Sequence, residues 1–255
     1  MYTSIFSKKS LFVAGIVAMG LVAGRAGIAA ATPVTIQNYS FETPTLADGS
    51  AVVAPHPSSA VNGPFNSWGY VVQTTGGAAA DFGIENPAGT AYTGATGSGT
   101  PSGANGTNDA FLNQFNTGNV TNIFQDVGAL QANTAYTLTV AIGQRLDRVN
   151  GPVQIGLIGA SSTETNPWAN GTLLSSTTGV SSVPGSFQDF STAFTTGSSV
   201  SGDLYVGAQY TGNGTGQGSV DNFRLNATPV PEPATLGLLA LGTVAMLARR
   251  KRAMA

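Results

Sequence analysis

Hydrophobic and polar residues alternate most strictly between Ala135 and Gly143, where Tyr136, Leu138, Val140 and Ile142 fall on one side and Thr137, Thr139 and Ala141 on the other. A period of two belongs to a strand with one buried face, not to a helix. Shorter apolar-rich runs occupy 109–113, 120–126, 153–158, 187–194, 204–210 and 218–225, and Val34 and Ile36 alternate with polar neighbours near the start of the body. Clusters of Gly, Ser and Asn separate these runs, as turns require. The pattern predicts about nine strands with no intervening helix, hence an all-β sandwich or barrel, and the long excursions between some strands favour jelly-roll connectivity. Residues 50–108, chiefly turn formers around Trp68 to Val72 and Tyr92, are expected to form a long irregular region, which in a compact domain is usually a functional loop or a poorly ordered segment.

The two ends break this pattern. In residues 1–31, Lys8 and Lys9 precede an apolar run from Leu11 to Val22 and the small residues Ala29, Ala30 and Ala31, the layout of a secretory signal helix cleaved by signal peptidase near Ala31. At the other end, Val230-Pro231-Glu232-Pro233 is stiffened by its prolines, the uncharged run 234–248 follows, and Arg249, Arg250, Lys251 and Arg252 close the segment. That run is short for a bilayer, but the basic cluster can complete a marginal transmembrane helix with its positive end at the cytoplasmic face. The domain plan is therefore a signal peptide (1–31), one folded body (32–229) and a C-terminal sorting segment (230–255).

Charge sharpens the plan. Only Arg145, Arg148 and Arg224 carry positive charge in the body, against eleven carboxylates, and the body contains no lysine. Such a surface cannot neutralise a run of phosphates, so nucleic acid is excluded as a partner. Cysteine is absent, which removes disulfides, thiolate metal sites and cysteine nucleophiles. The single histidine, His56, reads as a loop residue and can support neither a zinc pair nor a triad. The acids Asp81, Glu85, Glu164 and Asp189 are scattered with no visible pairing, and the Gly-rich stretch 94–106 does not lead into a helix as a phosphate loop would.

Two carboxylates stand out. Strict alternation in Ser219-Val-Asp-Asn-Phe-Arg-Leu225 would put Asp221 on the core side with Phe223 and Leu225, and Glu42 follows the apolar Phe41 in a strand expected to lie beside the last one. Carboxylates turned toward a core require a cation, and calcium takes oxygen ligands of this kind; the alternatives are bonds to backbone amides or an ion pair of Asp221 with Arg224. Trp68, Tyr70, Tyr92 and Trp168 are the candidates for an exposed aromatic platform that would bind a sugar face, each equally able to pack in the core.

The opening Asn38-Tyr-Ser-Phe-Glu-Thr-Pro, the middle Gly103-Ala-Asn-Gly-Thr-Asn-Asp-Ala-Phe-Leu112, the Ile123-Phe-Gln-Asp-Val and Tyr136-Thr-Leu-Thr-Val runs and the closing Val-Asp-Asn-Phe-Arg-Leu together resemble the galactose-binding-like jelly rolls of carbohydrate-binding modules. The resemblance implies a structural calcium held in part by Glu42 and Asp221. It extends to the calcium-dependent Stig cyclases, which share the opening and the Tyr-Thr-Leu-Thr-Val strand. The tail is similar to the PEP-CTERM sorting signal handled by exosortases in Gram-negative bacteria, a segment also labelled an ice-binding-protein C-terminal domain. These resemblances imply an inner-membrane intermediate and then a protein of the cell surface or extracellular matrix. The expected function is non-catalytic, carbohydrate binding or association with exopolysaccharide; the alternative is a secreted enzyme on the same fold, a glycan hydrolase or a Stig-like cyclase.

Overall fold

The computed structural model describes residues 30–54, 64–73, 80–93, 101–115, 118–212 and 214–231, together with Gly242 and Arg249. The strands are β1 (Thr32–Val34), β2 (Ala51–Val53), β3 (Pro64–Phe65), β4 (Trp68–Gln73), β5 (Asp81–Glu85), β6 (Asp109–Gln114), β7 (Val120–Ala129), β8 (Thr134–Gly143), β9 (Val153–Ala160), β10 (Thr172–Gly179), β11 (Phe187–Thr195), β12 (Asp203–Tyr210) and β13 (Gly216–Pro229). A single helical turn, α1 (Pro167–Asn170), starts at a proline and is capped by the Asn166 side chain, which accepts from Ala169 N.

All strand pairs are antiparallel and form two sheets. One has the order β11-β8-β13-β6-β5-β2 with β1 added beside β13; the other runs β10-β9-β12-β7-β4-β3. Between them lies the main core, to which β8 contributes Tyr136, Leu138, Val140 and Ile142, as its alternation predicts. The result is the all-β sandwich expected from the period-two pattern. The two ends of the sandwich body meet, because Thr32 and Val34 pair with Ala227 and Leu225.

Four short strands, β2 to β5, rise from the region expected to be irregular. Gly83 in the middle of Asp81-Phe-Gly-Ile-Glu85 hides that strand from a propensity reading, and the structure shows why it is there: the Phe111 ring of β6 lies where a Cβ would stand. Strand β10 was equally hidden, since its hydroxyl-rich sequence has only Leu173 and Leu174 as large apolar residues. His56, the signal segment 1–29 and the apolar run 234–248 lie outside the described residues, apart from Gly242. Among the described residues no helix is long and apolar enough to cross a membrane.

The aromatic platform is not formed as expected. Trp68 and Tyr70 are buried in the core, where Trp68 packs against Phe41 and Phe223 with ring centroids 5.3 and 4.7 Å away. Their alternation is that of core residues of a central strand, with Trp68 additionally held by a bond from its Nε1 to Asn38 O at 3.2 Å. Tyr92 is buried on the opposite side of the seven-stranded sheet. Trp168 lies half-buried on the outer face of the six-stranded sheet, flat over Gly156 and Gly207, and donates to Ile123 O at 3.1 Å.

Candidate functional site

The outer face of the seven-stranded sheet carries most of the buried charge. In β6, Ala110 and Leu112 enter the core, so Asp109 and Phe111 face outward; in β5, Phe82 and Ile84 enter the core and Glu85 faces outward. Register places Glu85 directly opposite Asp109. In β13, Val220 faces the core while Gln217, Ser219 and Asp221 face outward, and Ser219 lies opposite both Phe111 and Gly143.

This face is roofed, so its side chains are buried although they do not belong to the main core. Ala91, Tyr92, Ala141 and Phe187 form a small apolar cluster over it, with the Tyr92 and Phe187 rings 4.9 Å apart. Gly143 makes the roof possible: a Cβ there would lie 2.7 Å from the Phe187 ring and 2.9 Å from Tyr92 Oη. Backbone bonds from Thr93 N to Gly185 O (2.7 Å) and from Leu146 N to Ala91 O (2.8 Å) tie the roofing segments together.

Beneath the roof, Asp109 is wholly buried. Its Oδ2 accepts a hydrogen bond from Tyr92 Oη at 2.9 Å, while its Oδ1 has no partner among the described residues. Burial, and then the charge of Glu85, push the Asp109 carboxyl well above the usual carboxylate range. The Tyr92 phenol is likewise pushed well up, by burial and by Asp109. Glu85 has the opposite surroundings: Oε1 accepts from Gln217 Nε2 at 2.7 Å and Oε2 is in contact with Arg145 Nη1. Arg145 in turn forms a two-pronged pair with Asp147, Nε to Oδ1 and Nη2 to Oδ2, both at 2.8 Å. Burial opposes the guanidinium's charge, but the bonds to Asp147 and the charge of Glu85 outweigh it, and the Arg145 proton is held more tightly than usual. The hydrogen bond from Arg145 holds Asp147 below its ordinary range. A buried carboxyl that favours its proton, beside a carboxyl whose oxygens are both held by donors, is an arrangement that can deliver a proton in a dry site.

Glu42 and Asp221 meet on the same face, Asp221 lying on β13 next to the Asp109 end of β6. Glu42 Oε1 accepts from Thr107 N and Asn108 N, both at 2.9 Å, and Asp221 accepts at 2.6 Å from Asn105 N on one oxygen and Asn222 N on the other. Gly106, at φ +84°, lets the 105–108 turn close over Glu42. Asp221 does not point into the core as strict alternation would have it. A bulge between Asp221 and Arg224, with Asn222 at φ +52°, returns Phe223 to the core and leaves Asp221 on the outer face. Burial first, opposed by the two amide bonds, and then the charge of Glu42 push the Asp221 carboxyl well up. Arg224 pairs with Asp189 instead. No cation forms an ion pair with Glu42 or Asp221 among the described residues, and their all-oxygen chemistry suits a hard ion, although no group of three acidic or histidine ligands occurs there.

The acids that the sequence left unpaired are thus sorted. Glu85 has a carboxyl partner in Asp109, which sequence reasoning passed over as the first residue of a strand. Asp189 is a surface ion-pair residue, Glu164 accepts from Thr165 N, Asn166 N and Asn170 Nδ2, and Asp81 lies opposite Asn113 in the β5–β6 ladder. The only usable signal was the outward phase shared by Asp109 and Phe111. Two hollows elsewhere have no comparable chemistry. One of about 290 Å³ lies between Val34, Val127, Tyr136 and Leu204, and one of about 630 Å³ beside Ser161 and Glu164 has a single carboxylate, which its hydrogen bonds from Asn170 and Asn166 hold below the ordinary range.

The PEP-CTERM protein-sorting motif matches residues 229–252, which marks an exported, exosortase-processed protein of the Gram-negative cell envelope or surface. None of the curated proteins matches the chain. Among solved structures, a Stig cyclase, Fisc from Fischerella sp. TAU in complex with (3Z)-3-(1-methyl-2-pyrrolidinylidene)-3H-indole, is 18% identical, with a TM-score of 0.56 over 79% of this chain and 100% of that one. An apo cyclase from Fischerella sp. is 20% identical, with a TM-score of 0.57 over 79% and 98%. The carbohydrate-binding module TmCBM61, in complex with β-1,4-galactotriose, is 12% identical with a TM-score of only 0.41 over 74% and 95%. The family model for HpiC1 cyclase matches residues 32–226. That match overturns the expectation of a non-catalytic body, because the family is one of enzymes. Spanning nearly the whole sandwich, it shows that this chain belongs to the HpiC1-like cyclase family.

Proposed function

We propose that this protein is an exported cyclase that works on the outer face of its seven-stranded sheet, with Asp109 as the general acid. The observation that carries this reading is the Asp109 carboxyl: wholly buried, bonded to Tyr92 through one oxygen and, among the described residues, unpartnered at the other. Asp109 Oδ1 donates its proton to an alkene or electron-rich ring of the substrate. The cation so formed is attacked by a second π bond, which closes the ring, and a proton lost from the cyclised cation returns to the Asp109 carboxylate. The reaction is an isomerisation and consumes no co-reactant. Water would quench the cation, and the apolar roof of Ala91, Tyr92 and Phe187 excludes it. The roof consists of turn and loop segments and one strand end, so substrate enters by displacing it. The indole compound bound by Fisc supports an aromatic, alkene-bearing substrate.

The test is incubation of the protein with a panel of 3-alkenylindoles in D₂O. A cyclised product carrying deuterium is expected, and Asp109→Asn should abolish it while the protein stays folded. Undiminished cyclisation by Asp109→Asn, or none by the wild type across the panel, would overturn the reading.

The sandwich fits a jelly roll of the galactose-binding-like kind, and the meeting of Glu42 and Asp221 supports a structural calcium between them. When bound, that ion would neutralise two buried carboxylates and brace the 105–108 turn. Chelation should then lower the melting temperature of wild-type protein and leave a Glu42→Gln variant unmoved; equal melts for wild type with and without EDTA would remove the ion from the account.

A further inference from the structure

Glu85 and Asp109 face each other across one ladder rung, yet their hydrogen-bond surroundings differ in kind. Both oxygens of Glu85 are taken by donors, Gln217 Nε2 on one and Arg145 Nη1 on the other. Neither of these groups can accept a proton from a protonated Glu85 at those positions. Asp109 has one donor, Tyr92 Oη, and one oxygen without a partner. Two carboxyls this close cannot both be ionised cheaply, so the pair retains a proton that either could hold.

We infer that Arg145 is the positioning residue of this site: by occupying Glu85 it confines the proton of the Glu85–Asp109 pair to Asp109, the member facing the apolar roof. The inference rests on the proposed role of Asp109 and deepens it. The hydrogen bonds of the Arg145 guanidinium go to Glu85 and Asp147. It acts through Glu85, and Asp147 holds it in place by its two-pronged pair. That geometry explains the deep burial of a guanidinium in a body with only three cations. The charged and titratable groups acting on Asp109 are Glu85 from β5, Tyr92 from the roof, Arg145 from the segment after β8 and Asp221 from β13. Of these, Arg145 alone carries a positive charge.

The test needs no substrate. The full chain, purified in detergent micelles with ¹³C-carboxyl-labelled aspartate and glutamate, is titrated by NMR, the Asp109 and Glu85 signals being assigned by Asp109→Asn and Glu85→Gln. In the wild type, the Asp109 signal should titrate at a higher pH than that of an ordinary aspartate. In Arg145→Met, Glu85 should take up the proton and the Asp109 midpoint should fall by about one pH unit, the size expected when a neighbouring carboxylate loses its charge. Arg145→Lys, which keeps the charge and one donor, should restore the wild-type pattern. Unaltered Asp109 and Glu85 signals in Arg145→Met would overturn the inference. Where Arg145→Met fails to fold, Glu85→Gln decides. It removes the neighbouring carboxylate whose charge the pairing with Arg145 is inferred to maintain, so the Asp109 midpoint should fall there too, and an unmoved midpoint rejects the proposal. A proton on Asp109 without cyclisation would sink the cyclase reading alone; cyclisation with a proton that Arg145 does not control would sink only this inference.

Discussion

The two outer faces of the sandwich are built with the same device and put to different ends. On the six-stranded sheet, the Phe124 ring covers Gly69 and the Trp168 ring covers Gly156 and Gly207, and the neighbours Val71, Ile158 and Tyr205 complete a neutral apolar patch. On the seven-stranded sheet, Phe111 covers Gly83 and Phe187 with Tyr92 covers Gly143. Among the described residues, only there does a covering ring meet a buried carboxyl, Tyr92 on Asp109. Ring-over-glycine packing hides backbone and gains apolar contact on either face. Applied over an acid, it also removes water and changes which protonation state is stable. The catalytic potential of the molecule therefore comes from where its roof sits, not from the core shared by both sheets.

The largest expected effect opposes one residue from each face. Asp109→Asn should lower the cyclisation rate about 10²- to 10⁴-fold, the range for losing a general acid, with a near-normal melt because the amide keeps the shape. Trp168→Ala should do the reverse, costing roughly 1–3 kcal/mol in denaturant unfolding with turnover unchanged, as half-buried packing is lost. A rate loss in Trp168→Ala equal to that of Asp109→Asn would break the contrast. Next, Gly143→Val and Gly156→Val should each destabilise by about 1–3 kcal/mol through overpacking against the covering ring, but only the former should reduce the rate, by lifting Tyr92 and Phe187.

Smaller still is Tyr92→Phe, which leaves a buried carboxyl oxygen without its donor. A cost of about 1–3 kcal/mol is expected in unfolding. The phenol's hydrogen bond lowers the proton affinity of Asp109, so its loss should also move the fall in activity to higher pH. The finest probe is pH. Asp109 holds its proton more tightly folded than unfolded, so its contribution to stability is complete below the unfolded value and drains away as pH rises toward the folded one. The melting temperature of the wild type relative to Asp109→Asn should accordingly decline as pH rises above the ordinary carboxylate range. A pH-independent difference would mean that Asp109 is not protonated in the fold.

Much of the fold was legible in the residues. The alternation in β8, the turn clusters and the lack of any helical period were enough for an all-β body, because the phase of a strand is a local property. The site was less legible, and three residues show why. Asp221 was placed on the core side by counting in twos, and one bulge residue, Asn222 at φ +52°, reversed it. Asp109 and Glu85 are 24 positions apart, joined only by the β5–β6 register. Trp68 and Tyr70 looked like a platform because nothing in a six-residue strand says which of its faces another sheet will cover.

By itself the sequence determined an acidic, cysteine-free, strand-built body followed by a sorting motif. These follow from composition and from short-range periodicity, which no distant contact can change. Only the tertiary structure decided that Asp109 lies beside Glu85, that Arg145 anchors the latter and that Tyr92 seals the pair from water. The physical reason is that proton affinity depends on solvent exclusion and neighbouring charge, and both are set by register and roofing segments that join residues far apart in the chain.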